Sequence, residues 1–255
     1  MTSMTTGNTE SWNRIARRRD ASTLPTDTIS YGPDAPTEQE LRLLGDVNGR
    51  RVLDLGCGSG TSAVAFARQG ATVIAVDASN AQLAHARALA DRAEARVEWH
   101  LGDLADLAFL RADSIDVAFS AHALAEVADV GRVFRQVHRV LRPQGTFVLS
   151  YEHPLALLIA REMGPAAAGS RNGAMELPLD RLEIRRSYFD ESPIVVDRDG
   201  EPVTLHPRTV SSVFMGLTRS GFRVEVITEP PPAPEADEDL PVAPTIVWRA
   251  RKEGL

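Results

Sequence analysis

Three glycines at alternate positions, Gly56, Gly58 and Gly60, follow a short apolar run of Val52, Leu53 and Leu55 that is interrupted by Asp54. An apolar strand that ends in a glycine-rich turn and enters a helix lets backbone N–H groups approach a ligand closely. Asp54 adds a carboxylate aimed at that turn. Two further aspartates, Asp77 and Asp103, close later apolar runs. Asp77 lies about 20 residues beyond the turn, the distance at which an acidic side chain meets a ribose in nucleotide-binding folds. A carboxylate suits a ribose diol because it accepts hydrogen bonds from both hydroxyls. Asp103 can accept from an exocyclic amine, and Leu104 beside it can pack on a ring face. Taken singly, each aspartate reads as a strand-end or helix-cap carboxylate. Three at successive strand ends behind a glycine turn point to an adenosine-bearing ligand.

The elements that must position these groups alternate regularly. The pattern predicts strands at 51–55, 72–76, 96–100, 114–119 and 146–150, and helices at 61–69, 80–92 and 130–141. A short helical turn is expected over 104–110, and a turn at Arg142-Pro143-Gln144-Gly145. Strand–helix alternation implies right-handed βαβ units and a parallel sheet covered on both faces, with ligands outside the C-terminal strand ends. Ahead of this block, residues 1–10 are rich in Thr, Ser and Asn and read as disordered, and Trp12 to Arg19 reads as a short helix. Its Arg17-Arg18-Arg19 run reads as a solvated face or as a contact to an anionic ligand. Thr37 with Glu40 forms a capping-box signature for a helix that ends at Gly45. Beyond Tyr151 the alternation stops. Leu155 to Arg161 is helix-like, Leu182 to Phe189 is strand-like, and two short runs flank Asp199-Gly200, a hairpin signal. A helix at 209–219 and strands at 222–228 and 245–251 follow, the last two separated by a Pro- and acid-rich loop. Residues 1–45 are therefore expected as an N-terminal helical lid segment and 46–255 as the main domain, with 151–205 as an antiparallel lid insertion.

Val52 to Gly60 resembles the first motif of class I S-adenosylmethionine-dependent methyltransferases of the small-molecule type. Ala75-Val76-Asp77-Ala78-Ser79 resembles their acidic ribose motif, and Gly102-Asp103-Leu104 their adenine-binding segment. Ser114 to Ser120 resembles the fourth-strand motif, and Arg139 to Phe147 the approach to strand five. The resemblance covers residues 45–150 in family order. It implies an α/β, Rossmann-like, seven-stranded, mostly parallel sheet of order 3-2-1-4-5-7-6 with strand 7 antiparallel. It also implies S-adenosyl-L-methionine as cofactor and S-adenosyl-L-homocysteine as product. In the family's picture Asp54 and Gly56 meet the amino-acid portion, with Gly58 and Gly60 in the same turn. Asp77 and Ala78 meet the ribose, Asp103 and Leu104 the adenine, and Ser120 and Ala121 pass near the sulfonium. Tyr31 is an expected contact to the cofactor carboxylate. The one-residue gap between Gly58 and Gly60 departs from the G-x-G-x-x-G spacing that cradles a pyrophosphate.

Methyl transfer needs mainly proximity, plus removal of a proton when the nucleophile carries one. Many relatives have a His pair after strand four, where this chain has Ala125 and Glu126. Glu126, His122 and His153 are the catalytic candidates. His206, Arg208, Tyr188 and Phe189 are candidates for the acceptor side. A net charge of −7 argues against nucleic acid or an anionic membrane as partner. So does the absence of an Asn/Asp-Pro-Pro-Tyr tetrapeptide at Ser120 to Ala123 in the nucleic-acid case. One cysteine, Cys57, argues against a Cys-based metal site, and the resemblance brings no metal. No apolar run reaches the ~20 residues that span a bilayer, and no signal-peptide core precedes the domain, so a cytoplasmic location is expected. The expected reaction is methylation of an oxygen, nitrogen or carbon of a small molecule, with a specialised metabolite as one such acceptor and a homodimer left open. The alternatives are a cofactor-binding protein with other chemistry, or a non-catalytic regulator that retains the cofactor.

Overall fold

The computed structural model describes residues 6–20, 23–33, 35–159, 184, 186–232 and 242–254. Its centre is a seven-stranded sheet built from β1 (Arg51–Leu55), β2 (Thr72–Asp77), β3 (Val97–Leu101), β4 (Ile115–Ala121), β5 (Leu141–Glu152), β8 (Phe222–Thr228) and β9 (Thr245–Lys252). The strands run in the order β3-β2-β1-β4-β5-β9-β8. The first five are parallel, and β9 is antiparallel to both β5 and β8. This is the expected 3-2-1-4-5-7-6 order, with β9 as the antiparallel strand.

Alternation along the strands builds two core layers, as the two-residue period of a strand dictates. Leu53, Leu55, Ile74 and Val76 face one side, where α5 (Val130–Val140) presents Val133, Phe134, Val137 and Val140. Val52, Val73 and Ala75 face the other, against Phe66 of α3 (Thr61–Arg68). Helix α4 (Asn80–Arg92) is capped by the Ser79 hydroxyl, which accepts from the Gln82 N–H at 3.2 Å. It follows Asp77 directly, so the end of β2 and the start of α4 sit at one edge of the sheet.

Several expectations change. Helix α1 spans Thr6–Arg18, so it begins inside the stretch read as disordered. Helix α2 (Glu38–Leu41) is a single turn that stops at Arg42 in the left-handed region rather than at Gly45. Glu40 does accept from the Thr37 N–H at 2.7 Å. Residues 104–110 form turns and no helix. Strand β5 begins at Leu141, and the expected turn is a bulge inside it, because Ile115 pairs with Leu141 and Val117 already pairs with Thr146. Residues 184 and 186–189 are not strand, and the rest of the 182–189 expectation, like the whole of 160–183, falls outside the described residues. A short helix, α6 (Pro154–Ile159), follows β5, and α7 (Val210–Arg219) precedes β8. The hairpin of β6 (Ile194–Arg198) and β7 (Glu201–Leu205) forms a separate two-stranded sheet. Its turn has Asp199 and Gly200 both at positive φ, 53° and 78°, as a tight two-residue hairpin requires.

Candidate functional site

The turn after β1 is anchored to the neighbouring strand. Gly56 and Cys57 both donate to the Val76 carbonyl, at 2.8 and 3.1 Å. A side chain at Gly56 would meet the Ala123 methyl at 2.1 Å, so glycine allows the turn to back onto the loop after β4. Gly58 is the opposite case, since a Cβ there would meet nothing within 4 Å. Its backbone faces open space at the mouth of a cavity of about 160 Å³. The wall includes Gly56, Gly58, Asp77, Ala78, Gln82 and Leu104 on one side and Trp12, Ala121, His122, Ala123 and Glu126 on the other. The cavity lies outside the C-terminal ends of β1, β2 and β4, where ligands bind in open α/β sheets.

Two carboxylates stand at this wall, Asp54 buried beneath it and Asp77 half-buried on it. Asp77 accepts from the Gly58 N–H and the Ser79 N–H, each at 2.8 Å, so it locks the glycine turn to the start of α4. Burial raises its pKa, against the lowering effect of those backbone donors. Asp54 is 2% exposed and its Oδ2 has no hydrogen-bond partner among the described residues. Burial first, and then the Asp77 charge, push its carboxyl up to about 7. A buried acceptor without a donor costs about 1–3 kcal/mol, so the pair calls for a ligand that brings positive charge or donors. A sulfonium-bearing amino acid with a ribose does both, and the open backbone at Gly58 leaves room for it. The residues therefore fit S-adenosylmethionine.

The remaining expected cofactor residues divide. Leu104 and Ala121 are on the wall. Asp103 accepts from the Ala105 N–H at 2.9 Å and shapes the loop that presents Leu104. Gly60 caps α3, and a Cβ there would meet Ala86 at 2.7 Å, so it packs on α4 and does not line the cavity. Ser120 is fully buried and donates to the Leu55 carbonyl at 2.9 Å, which ties β4 to β1 and turns its hydroxyl away from the cavity. Tyr31 is corrected outright. It is 0% exposed, its ring packs on Phe119, and its hydroxyl hydrogen-bonds the Glu38 carboxylate. Burial and that carboxylate raise its pKa strongly. It is a core residue that fastens α2.

Among the catalytic candidates, Glu126 and His122 line the cavity and His153 does not. Glu126 accepts from Trp12 Nε1 at 2.9 Å and from Asn8 Nδ2 at 3.0 Å. Burial pushes its pKa up to about 7 despite those two donors. His122 has φ 59° and contacts Thr245 Oγ1 through Nε2 at 2.9 Å. Its Nδ1 lies 4.0 Å from Glu152 Oε1, and burial, with the Arg198 charge behind it, pushes its pKa down to about 3. It is thus a neutral imidazole. His153 pairs with Glu229 at 2.8 Å through Nε2, and its Nδ1 accepts from the Leu155 N–H at 3.1 Å. That geometry makes it the N-terminal cap of α6. On the acceptor side, the Arg208 guanidinium is engaged by backbone carbonyls, and the Tyr188 hydroxyl accepts from the Val210 N–H at 3.0 Å. Phe189 is 81% exposed.

The roof over the cavity is helix α1. Asn8 reads like one more strand residue beside β7, donating to the Thr204 carbonyl and accepting from its N–H, both at 2.8 Å. The Arg17-Arg18-Arg19 run is exposed, as a solvated face, and two of its members pair with the hairpin, Arg18 with Glu201 (as Arg14 does) and Arg19 with Asp199. Asn13 reaches the other side, where its Oδ1 accepts from Ser79 Oγ at 2.8 Å. Sequence reasoning missed Trp12 and Gln82 as wall residues. The one signal for Trp12 was its place on a helical face beside Ile15.

Comparison with known proteins agrees with this geometry. Residues 53–149 match the model of a methyltransferase domain family. The chain is 30% identical over 195 residues to the magnesium-protoporphyrin O-methyltransferase of Rhodobacter capsulatus, covering 74% of this chain and 84% of that protein. It is 32% identical over 120 residues to a ubiquinone biosynthesis O-methyltransferase of Azorhizobium caulinodans, but spans only 45% of that relative. Among solved structures, an S-adenosylmethionine-dependent methyltransferase from Mesorhizobium loti superposes with a TM-score of 0.67 at 33% identity, over 83% of this chain and 95% of that one. A putative one from Listeria monocytogenes gives the same TM-score of 0.67 at 29% identity, over 85% and 98%. The cavity at the strand ends, the aspartates beneath it and these likenesses converge, and the chain belongs to the class I S-adenosylmethionine-dependent methyltransferases.

Proposed function

We propose that the chain methylates an oxygen of a small-molecule acceptor that enters between His122 and Glu126. The observation that carries this reading is the meeting, at one cavity, of a cofactor-shaped wall (Gly58, Asp77, Leu104) and a carboxyl poised near neutrality, Glu126. The O-methyltransferase names of two relatives favour oxygen over nitrogen or carbon. In this reading residues 1–45 and 151–205 serve as lid segments over the domain of residues 46–255.

The bound cofactor supplies an already activated methyl group. Asp77 takes the ribose, Asp54 and the Gly56–Gly60 turn the amino-acid end, and Asp103 with Leu104 the adenine. The protein's main contribution is to hold two reactants in line and keep water away. A hydroxyl acceptor must also lose a proton. A base works best when its pKa lies near the operating pH. Glu126, at about 7, meets that condition, whereas His122, at about 3, holds a proton poorly and serves to orient. The test is calorimetric titration with S-adenosylmethionine and S-adenosylhomocysteine, followed by product formation across a panel of phenols, alcohols and amines. Absence of binding to either would sink the reading. Binding without any methylated product would favour a non-catalytic cofactor binder.

A further inference from the structure

Gln82 stands on the cavity wall with half of its amide unused. It is the third residue of α4, is 4% exposed, and gives its backbone N–H to the Ser79 cap. Its Oε1 accepts from Ser59 Oγ at 2.7 Å, so the glycine turn holds the carbonyl end of the amide. Its Nε2 meets no acceptor among the described residues, and it is the end left to the cavity. That nitrogen carries two donors, and buried donors in folded proteins are nearly always paired. Methionine has nearly the same helix propensity and length and would leave nothing unpaired. A bare amide at this position therefore points to a ligand that accepts from it.

The same corner of the wall holds Asp77. Its Oδ1 accepts from the Ser79 N–H and its Oδ2 from the Gly58 N–H, one backbone donor for each oxygen. A carboxylate has about four acceptor sites, so both oxygens keep capacity for a ligand. Asp77 and Gln82 are tied through Ser79, which donates its N–H to the first and accepts the N–H of the second. Spare acceptors and spare donors thus lie side by side. A hydroxyl needs both, since it donates once and accepts as well. Two neighbouring hydroxyls can send their hydrogens to Asp77 while an oxygen of the pair takes an N–H from Gln82.

We propose that Gln82 completes a diol-binding pair with Asp77, donating from Nε2 to a ribose hydroxyl oxygen of the cofactor, and that Ser59 is the positioning residue that keeps this nitrogen turned to the cavity. The inference rests on the reading that the cavity holds S-adenosylmethionine. It adds a source of selectivity: a ligand without that hydroxyl forgoes a bond to Gln82 as well as one to Asp77.

The test is calorimetric titration of S-adenosylhomocysteine and its 2′-deoxy and 3′-deoxy forms into the parent chain, Gln82→Met and Ser59→Ala. Gln82→Met should weaken S-adenosylhomocysteine by about fivefold, the effect of one hydrogen bond. For one of the two deoxy forms the same substitution should make no difference, because the hydroxyl that Gln82 serves is already gone. Ser59→Ala leaves the amide in place but frees it to turn, so it should shift the same comparison in the same direction by a smaller factor. It also reads the coupling should Gln82→Met fail to fold. The control is 5′-methylthioadenosine, which lacks the amino-acid end and should lose about the same factor as S-adenosylhomocysteine in Gln82→Met. Three results would each overturn the proposal: affinity of Gln82→Met equal to that of the parent, equal losses for S-adenosylhomocysteine and both deoxy forms, or a loss for S-adenosylhomocysteine with none for 5′-methylthioadenosine, which would put Gln82 at the amino-acid end. A parent chain that does not bind S-adenosylhomocysteine would overturn the cofactor reading itself, and this assignment with it.

Discussion

Replacing Glu126 with glutamine isolates one buried charge that links roof to floor. Glu126 is 6% exposed and its carboxyl is pushed from an ordinary 4.5 up to about 7, chiefly by burial. At 1.36 kcal/mol per pH unit, that rise corresponds to about 3 kcal/mol. The sign follows from proton counting. Between pH 4.5 and 7 the folded chain holds a proton on Glu126 that the unfolded chain has released, so stability falls as pH rises through that window. Below it, both states are protonated and nothing is lost; above it, the full cost of a buried carboxylate is present. Glutamine keeps an oxygen to accept from Trp12 and Asn8 and never ionises. Denaturant unfolding of both proteins from pH 5 to pH 8 should show the variant gaining on the parent by about 2–3 kcal/mol as pH rises, with the gain levelling off above pH 7. Asp54 also titrates in this region and burial raises Asp77 as well, but both are common to the two proteins and drop out of the difference. Parallel pH profiles would refute the reasoning, because they would mean that Glu126 carries the same charge folded and unfolded.

Three other outcomes are expected. Asp77→Ala should weaken S-adenosylhomocysteine binding by about 1–3 kcal/mol, the cost of unpaired buried polar groups, and unchanged affinity by calorimetry would remove the ribose assignment. Tyr31→Phe should lower stability by about 1 kcal/mol through the lost hydroxyl–Glu38 bond with cofactor affinity intact; a large affinity loss would restore Tyr31 to the site. Methyl transfer to a phenolic acceptor should rise with pH through about 7, as Glu126 becomes free to take a proton, and a rate profile that is flat there in the parent protein would argue against Glu126 as the base.

The legible part of this chain is the part where local pattern and topology coincide. From Arg51 to Leu101 the strands are short and closed by a glycine or an aspartate, and helices alternate with strands on to Ser150, so period and punctuation give both element and order. The hairpin at Asp199-Gly200 was equally readable, because only a turn with two positive φ values wants that pair. The failures come from contacts that leave no local mark. Tyr31 and His153 looked like site residues by position along the chain. Their partners, Glu38 and Glu229, decide otherwise, and one of these lies 76 positions away. The basic run was read as a solvated face, and it is exposed; what the sequence hid were the pairings of Arg18 and Arg19 with Glu201 and Asp199, 183 and 180 positions later.

The clasp between α1 and the hairpin joins the beginning of the chain to a segment 196 positions downstream at Asn8 and Thr204. A ligand seated against Trp12 is covered by a helix held by these polar contacts and also by apolar ones, with Ile15 1% and Ala16 0% exposed, so the helix detaches as a unit. Residence time should therefore be governed by local detachment of a single helix. Amide exchange along α1, slowed on ligand binding and restored on release, would then serve as the clock of the catalytic cycle.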